Sequence, residues 1–358
     1  MTRAATMRPS SPVKFIALAV VVVVALAACS GSTKHAKAAA AAAAKEKARA
    51  KAKAYPIAPL TGLPDPGGAA LKRCAITVKI DNTHAGHPKY GVDEADVVYE
   101  EVVEAGITRL AAVFNSHDPD KVGPVRSVRK TDQSLVWPIG GIFAYSGGAP
   151  YAIASIDTAP VVRLDETTAG PLMFRDHSRN PPVNLYAHVN FMYSKCGPRV
   201  PPPALFTYRA PHAKVGGVPA SSVRVGFLGA GSAYPGSPSF AVTWDWDAAS
   251  QSWKRSIFGS PEDVASGVQF APKNVVVMFV AYVGGDPNHA NEGAEAEITG
   301  TGKAMVFTAG KEIDGTWSRP DKDHVAQLLD ATGKVIPLTP GQTWVELPDI
   351  GYSVTKTP

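Results

Sequence analysis

Asp96-Val97-Val98-Tyr99-Glu100-Glu101-Val102-Val103-Glu104 and Ile107-Thr108-Arg109-Leu110-Ala111-Ala112-Val113-Phe114 read as two β-strands. Both are rich in β-branched residues, which suit a pleated, partly buried surface. Only Ala105-Gly106 separates them, and so short a link with a glycine closes a tight hairpin. Working outward, Ala75-Ile76-Thr77-Val78-Lys79-Ile80-Asp81 alternates like a further strand. Val125 to Trp137 reads as a helix ending before Pro138. Gly141-Ile142-Phe143-Ala144-Tyr145 reads as a strand stopped by Gly147-Gly148, and a short helix is expected from Pro150. An antiparallel hairpin among alternating strands and helices predicts an α+β fold and argues against a doubly wound sheet.

Pro201-Pro202-Pro203 and the Gly/Ser/Pro-rich run from Gly226 to Ser239 bracket a boundary. The expected organisation is an N-terminal mixed α/β sandwich domain over 55–215 and a smaller β-rich domain over 235–355. In the latter, Phe240 to Trp246 alternates, Ser252 to Phe258 pairs with it, and Asn274 to Val280 reads as a buried strand. Lys303 to Phe307 and the stretch around Thr316-Trp317 flank a turn at Ala309-Gly310, and Gln342 to Glu346 closes the chain. One helical turn is placed near Val325 to Leu329.

The N-terminus addresses the chain. Arg3, Arg8 and Lys14 precede an apolar run from Phe15 to Ala28, which ends in Leu26-Ala27-Ala28-Cys29. A basic head, a short apolar core and small residues before the cut make a signal peptide over 1–28. A cysteine directly after Leu-Ala-Ala makes it a lipoprotein signal, with Cys29 as the thiol that receives the acyl chains. The run is also short of the ~18–20 residues that span a bilayer. The expectation is a lipid-anchored protein on the outer face of the cytoplasmic membrane. Residues 29–54, with seven consecutive alanines (Ala38 to Ala44) and alternating lysines, read as a partly helical spacer.

The net charge of +5 misleads. The leader carries +3 and residues 30–54 carry +6, which leaves −4 for the rest. A mildly acidic folded part excludes nucleic acid as the expected partner. The partners left are the membrane, through the Cys29 lipid, and a cell-envelope protein or cell-wall fragment. Once Cys29 goes to lipid, Cys74 and Cys196 remain as an even pair in an oxidising compartment. A bridge and two separate buried thiols both fit.

Several blocks resemble the YerB-like bacterial lipoproteins, catalogued as a domain of unknown function with N- and C-terminal parts. They are Pro59-Leu60-Thr61-Gly62-Leu63-Pro64, Ile80-Asp81-Asn82, Ala95 to Glu100, Glu104 to Arg109, Val122 to Arg129, Phe174-Arg175-Asp176 and Asn184-Leu185-Tyr186. Asn274 to Val277, Gly302-Lys303-Ala304, Gly315-Thr316-Trp317 and Pro340 to Trp344 continue the series in order. The resemblance covers nearly all of 57–347. The family pattern has His before Asn-Leu-Tyr where this chain has Val183, which weakens any role for an imidazole there. The resemblance implies a lipid-anchored two-domain protein and supplies no reaction.

Arg126 and Arg129, three apart on the predicted helix and just after Gly123-Pro124, are the leading candidate site. Two guanidinium forks near a helix N-terminus suit a carboxylate or phosphate. Arg175 could reach the same anion, and Asp81, Asn82 and Asn184 could orient it. In the competing reading both arginines pair internally with Glu100 and Glu104, which alternation places on one strand face. Glu100 and Glu104 are also the candidate acid/base pair of a cell-wall hydrolase. A purely structural scaffold is the third reading. Asp176-His177-Ser178 is contiguous, whereas a catalytic triad is assembled from different elements, so it reads as a surface loop. His84 and His87 have a spacing that could hold zinc but lie in a Gly/Pro loop, and read as solvated. No metal or other cofactor is expected. Trp244, Trp246, Trp317 and Trp344 are expected in the core rather than as a glycan platform.

Overall fold

The computed structural model describes residues 37–44, 55–197, 200–227, 240–283 and 295–358. Cys29 and the leader lie outside these residues. Residues 37–44 form a helix, as the alanine run predicts. No helix among the described residues is long and apolar enough to cross a membrane.

Residues 54–358 form one compact unit. Its strands are, in chain order, β1 (Ile76–Asp81), β2 (Val97–Val102), β3 (Thr108–Phe114), β4 (Ile142–Ala144), β5 (Val162–Leu164), β6 (Met173–Arg175) and β7 (Leu185–Ala187). They continue with β8 (Val218–Pro219), β9 (Ser222–Gly226), β10 (Ala241–Asp247), β11 (Ser252–Ile257), β12 (Ser260–Pro261) and β13 (Asn274–Met278). The last are β14 (Ala281–Val283), β15 (Glu295–Glu297), β16 (Gly300–Thr308), β17 (Lys311–Arg319), β18 (Gln327–Asp330), β19 (Thr343–Leu347) and β20 (Val354–Thr357). Within the unit the helices are α1 (Lys130–Ile139), α2 (Pro150–Ile156) and α3 (Val189–Met192).

The main sheet runs β18-β17-β16-β13-β19-β2-β3-β1-β4-β5, with β8 added beside β17. A smaller sheet runs β12-β11-β10-β9-β20. The α+β class holds. The expected hairpin is β2–β3, with Val97 opposite Val113 and Val102 opposite Thr108. Gly106 turns it at φ 65°, a left-handed value that costs glycine little.

The two expected domains share one sheet and are not separate cores. β19, from the end of the chain, lies parallel to β2, from its beginning, with Trp344 beside Val98 and Glu346 beside Glu100. Without β19, β2 would present an open edge in the middle of the sheet. The 55–215 and 235–355 segments therefore differ in content but bury their apolar faces together.

One face of the main sheet packs on the smaller sheet. Val98, Ile80, Val275 and Trp344 meet Val223, Val242, Trp244 and Trp253 there. Trp244 and Trp344 contact edge to face at 5.1 Å, a geometry worth about 0.5–1.5 kcal/mol beyond area burial. Leu135 and Ile139 of α1 cover the other face with Val97, Val113 and Val345. The tryptophans are core residues as expected, with Trp246 half-buried.

Three local expectations fail. α1 runs through Pro138 to Ile139 instead of ending before the proline. Residues Val125 to Arg129 are extended, and α1 begins only at Lys130. Their backbone groups are committed across strands: the Val125 N–H donates to Leu185 O, the Arg126 N–H to Lys79 O, and the Val128 N–H to Gly147 O. The Arg126 carbonyl, which a helical Lys130 N–H would need, takes the Ser146 N–H instead. The turn near Val325 to Leu329 is instead β18, because Leu328 pairs with Trp317 along β17.

Candidate functional site

β1 and β2 both run antiparallel to β3, so they are parallel to each other. β4 runs parallel to β1, and β19 parallel to β2. The carboxyl ends of β1, β2, β4 and β19 therefore lie along one edge of the sheet. In open sheets such an edge is where loops form ligand crevices. Three arginines converge there. Arg109 opens β3 directly opposite Asp81 and Glu101. Arg126 and Arg129 arrive on the extended strap between Pro124 and α1.

Arg126 pairs through Nε with Asp81 at 2.6 Å. Arg129 pairs through Nε with Glu104 at 2.6 Å. Arg109 gives one Nη1 bond, to Ser127 O at 2.9 Å. Its residue is 5% exposed, and its Nε has no hydrogen-bond partner among the described residues. Arg126 and Arg129 keep side-chain exposures of 18% and 15%, so the cluster opens to solvent on one side. Burial, and then the charges of Arg129 and Arg126, pull the Arg109 guanidinium down to about 10. Three guanidinium groups lie against the carboxylates of Asp81 and Glu104, with Glu101 opposite Arg109 across the hairpin, and the Arg109 guanidinium keeps an unused donor. The arrangement can accept an oxyanion, which would supply the missing acceptors.

The ligand set expected from the sequence is only partly brought together. Asp81, Arg126 and Arg129 converge, although not on a helix face. Asp132 Oδ2, in the first turn of α1, reaches back to accept the Arg129 N–H at 2.6 Å. Asp81 Oδ1 accepts the Thr83 N–H at 2.7 Å, an Asx-turn. Asn82 turns to the opposite face, where its Nδ2 donates to Glu100 and to Thr108 Oγ1. Arg175 makes a two-pronged pair with Glu166 at 2.6 Å and donates to Asn184 Oδ1. Those groups satisfy one another rather than reach the arginine cluster.

Glu100 and Glu104 do not share a face, and only Glu104 pairs with one of the predicted arginines. β2 ends at Val102, and Glu104 lies in the following 3-10 turn (Glu104–Gly106). Glu100 is fully buried between the sheets and accepts from Arg255 Nη2 at 2.7 Å. A carboxylate so enclosed cannot serve as acid or base toward a solvent-borne substrate together with Glu104. Ser178 Oγ donates to Asp176, which pairs with Lys121 at 2.6 Å, so the contiguous Asp-His-Ser is a local turn. His87 is not simply solvated. Its ring contacts Thr83 O and Glu262, each at 2.9 Å. Among the described residues no group of side chains has the makings of a metal site. Cys74 and Cys196 form a disulfide with a Cα separation of 5.6 Å.

Sequence reasoning missed a second set of charges. Between the sheets, Arg255 of β11 pairs with Glu262 and Glu100 and approaches Glu346 at 3.7 Å. Its guanidinium lies over the Trp344 ring at 4.6 Å. Lys89 pairs with Glu262, and Trp244 Nε1 donates to Glu346 at 2.9 Å. Two cations face three carboxylates in a dry space. Burial, and then the Glu100 charge alongside, push the Glu346 carboxyl well above its ordinary range.

That shift has a sign that can be tested. A carboxyl raised in the folded state contributes fully below its unfolded value of 4.5, and the contribution is lost as pH rises through the folded value. Glu346→Gln keeps the uncharged shape. The variant is therefore expected to match wild type in urea melts near pH 4.5 and to become progressively more stable than wild type toward pH ~8. Parallel pH curves for the two proteins would refute a raised Glu346.

Alternation within β1 and the register of the β2–β3 hairpin contain the signal for Arg109, Lys79 and Glu101, since one pairing places Glu101 and Asp81 on either side of Arg109. Nothing local signals Arg255 or Glu262, which come from a different sheet.

Models of the family described as "Protein of unknown function (DUF3048)" match twice, its N-terminal domain at residues 60–198 and its C-terminal domain at 233–345. The chain is 26% identical over 312 residues to "Putative lipoprotein YerB" of Bacillus subtilis (strain 168), covering 84% of this chain and 88% of that protein. The crystal structure of YerB from Bacillus subtilis superposes with a TM-score of 0.71 at 23% identity, over 84% of this chain and all of the other. That likeness shows a shared fold.

Proposed function

We propose, for a chain that belongs to the DUF3048 family of proteins of unknown function, that it is a lipid-anchored envelope protein whose arginine cluster holds an anionic ligand. The name of the Bacillus relative supports the lipoprotein part, as does Leu26-Ala27-Ala28-Cys29 in this chain. The acylated Cys29 would hold the compact unit at the outer face of the membrane, with residues 30–54 as the spacer. The observation that carries the binding reading is Arg109. A guanidinium 5% exposed, with an unpartnered Nε and two more arginines beside it, is costly to keep without an anion.

The test is a thermal melt of residues 54–358 against cell-wall fragments, nucleotides and sugar phosphates. A ligand present at a hundred times its Kd stabilises by about 2.7 kcal/mol. Wild type should shift with at least one anionic class, and a folded Arg126→Ala protein should not. Arg126 suits this because its described polar contact is with Asp81, which retains Thr83 as a partner. If no compound shifts wild type and Arg126→Ala is merely unstable, the arginines are a scaffold.

A further inference from the structure

Beneath the arginine cluster lies a buried triad. Lys79 projects from the same face of β1 as Asp81, and its ammonium sits between Glu101 of β2 and Asp132 of α1. The Lys79–Asp132 contact is 2.7 Å, and all three side chains are 0% exposed. One ammonium against two carboxylates leaves one negative charge in excess where no water reaches. Asp132 has no spare acceptor role, since Oδ1 takes the ammonium and Oδ2 takes the Arg129 N–H. Glu101 is different. Its Oε1 meets Lys79, and its Oε2 has no hydrogen-bond partner among the described residues. Burial of two carboxylates with one cation is relieved most simply by a proton on the less engaged oxygen, which is Glu101 Oε2.

Glu101 is also the acid of this triad that stands opposite Arg109 across the hairpin. The charged or titratable groups facing it are Lys79 from β1, Asp132 and Arg129 from α1 and its cap, and Arg109 from β3. Tyr282 of β14 completes the surroundings, accepting the Val102 N–H at 2.9 Å.

Resting on the anion-binding reading above, we propose that Glu101 is a proton-binding site coupled to the arginine cluster, so that a sulfate- or phosphate-type oxyanion and a proton on Glu101 each strengthen the binding of the other. With the cluster empty, the positive field of Arg109 and Arg129 favours the ionised carboxyl. A bound oxyanion cancels that field, and the proton then binds more tightly. Reciprocity requires the proton to tighten the anion by the same factor. Burial, opposed by Lys79, brings the Glu101 carboxyl up to about 7, which places the exchange near neutrality. The protein would then take up its anion more readily where the outside of the cell is acidified.

Sulfate is the probe, because it does not titrate in the working range. Calorimetry on residues 54–358 at about pH 6 and about pH 8, in two buffers of different ionisation enthalpy, reads affinity and proton uptake together. Sulfate should bind about fivefold more tightly at the lower pH, at the modest end of site-to-site coupling. A fraction of a proton should enter with each sulfate near pH ~7. Glu101→Gln mimics the protonated acid, and should hold the tight affinity at both pH values with no proton uptake at this site. Sulfate bound equally at both pH values without proton uptake would overturn the coupling and leave the anion site standing. Sulfate that fails to bind, or that binds Arg126→Ala as well as wild type, would overturn the anion site itself. Should Glu101→Gln not fold, the proton count of wild type still decides.

Discussion

Arg255→Ala is expected to remove about 3–5 kcal/mol of stability, the cost of breaking a buried ion pair by deleting one partner. The side chain is 0% exposed and stands between two sheets. It satisfies Glu262 and Glu100 and lies over the rings of Trp344 and Trp244. Deleting it leaves Glu100 without its cation and Glu262 with Lys89 and the His87 ring, and opens a cavity between tryptophans. Domains are stable by only about 5–15 kcal/mol, so much of the margin goes with one residue. Urea titrations followed by tryptophan fluorescence measure the loss directly, since Trp244, Trp253 and Trp344 surround the site. Glu100→Gln combined with Arg255→Met should recover part of it, because it removes one of the carboxylates left without a partner while Lys89 still holds Glu262. A midpoint shift worth less than about 1 kcal/mol would show that water enters and solvates the carboxylates.

Reducing the Cys74–Cys196 bridge, or replacing both cysteines with serine, is expected to cost nearly as much. The two residues are 122 apart in sequence. Closing so long a loop restricts the unfolded chain by about 5 kcal/mol in the chain-entropy model, and measured losses for native bridges run at about 2–5 kcal/mol. Cys74 lies just before β1, the strand that carries Lys79 and Asp81, while Cys196 follows the helical turn after α3. The bridge therefore ties the start of β1 to the far end of the N-terminal segment. Melts with and without a reductant, compared with the double serine variant, check this. A reduced protein as stable as the oxidised one would mean that the sheet alone holds the two segments together.

How much of the site could be read without coordinates follows from how far apart its parts are in sequence. The hairpin between Val97 and Phe114 is local, and its register brings Glu101 beside Arg109 and leaves Glu100 on the other face. Arg126 and Arg129 were recognisable as a pair of cations, but not their partners. The helix expected from Val125 starts only at Lys130, because Val125 to Val128 are held as extended chain by bonds to Leu185, Lys79 and Gly147, residues on three other segments. Asn184 and Arg175 looked like companions of the cluster, but Glu166 lies close enough to take the guanidinium first.

The sequence by itself determined the α+β class and most strands. These depend on periodicity, turn residues and short-range spacing, which act within a few residues. Only the tertiary structure decided that β19 inserts beside β2 and merges the two expected domains, and that Glu100 belongs to Arg255. It also decided that three arginines meet above a buried Lys79–Glu101–Asp132 triad. Those outcomes depend on which strand edges and which charges find one another across distances of tens to hundreds of residues. Local propensity is silent there, and a buried charge is satisfied by whichever partner the packing brings.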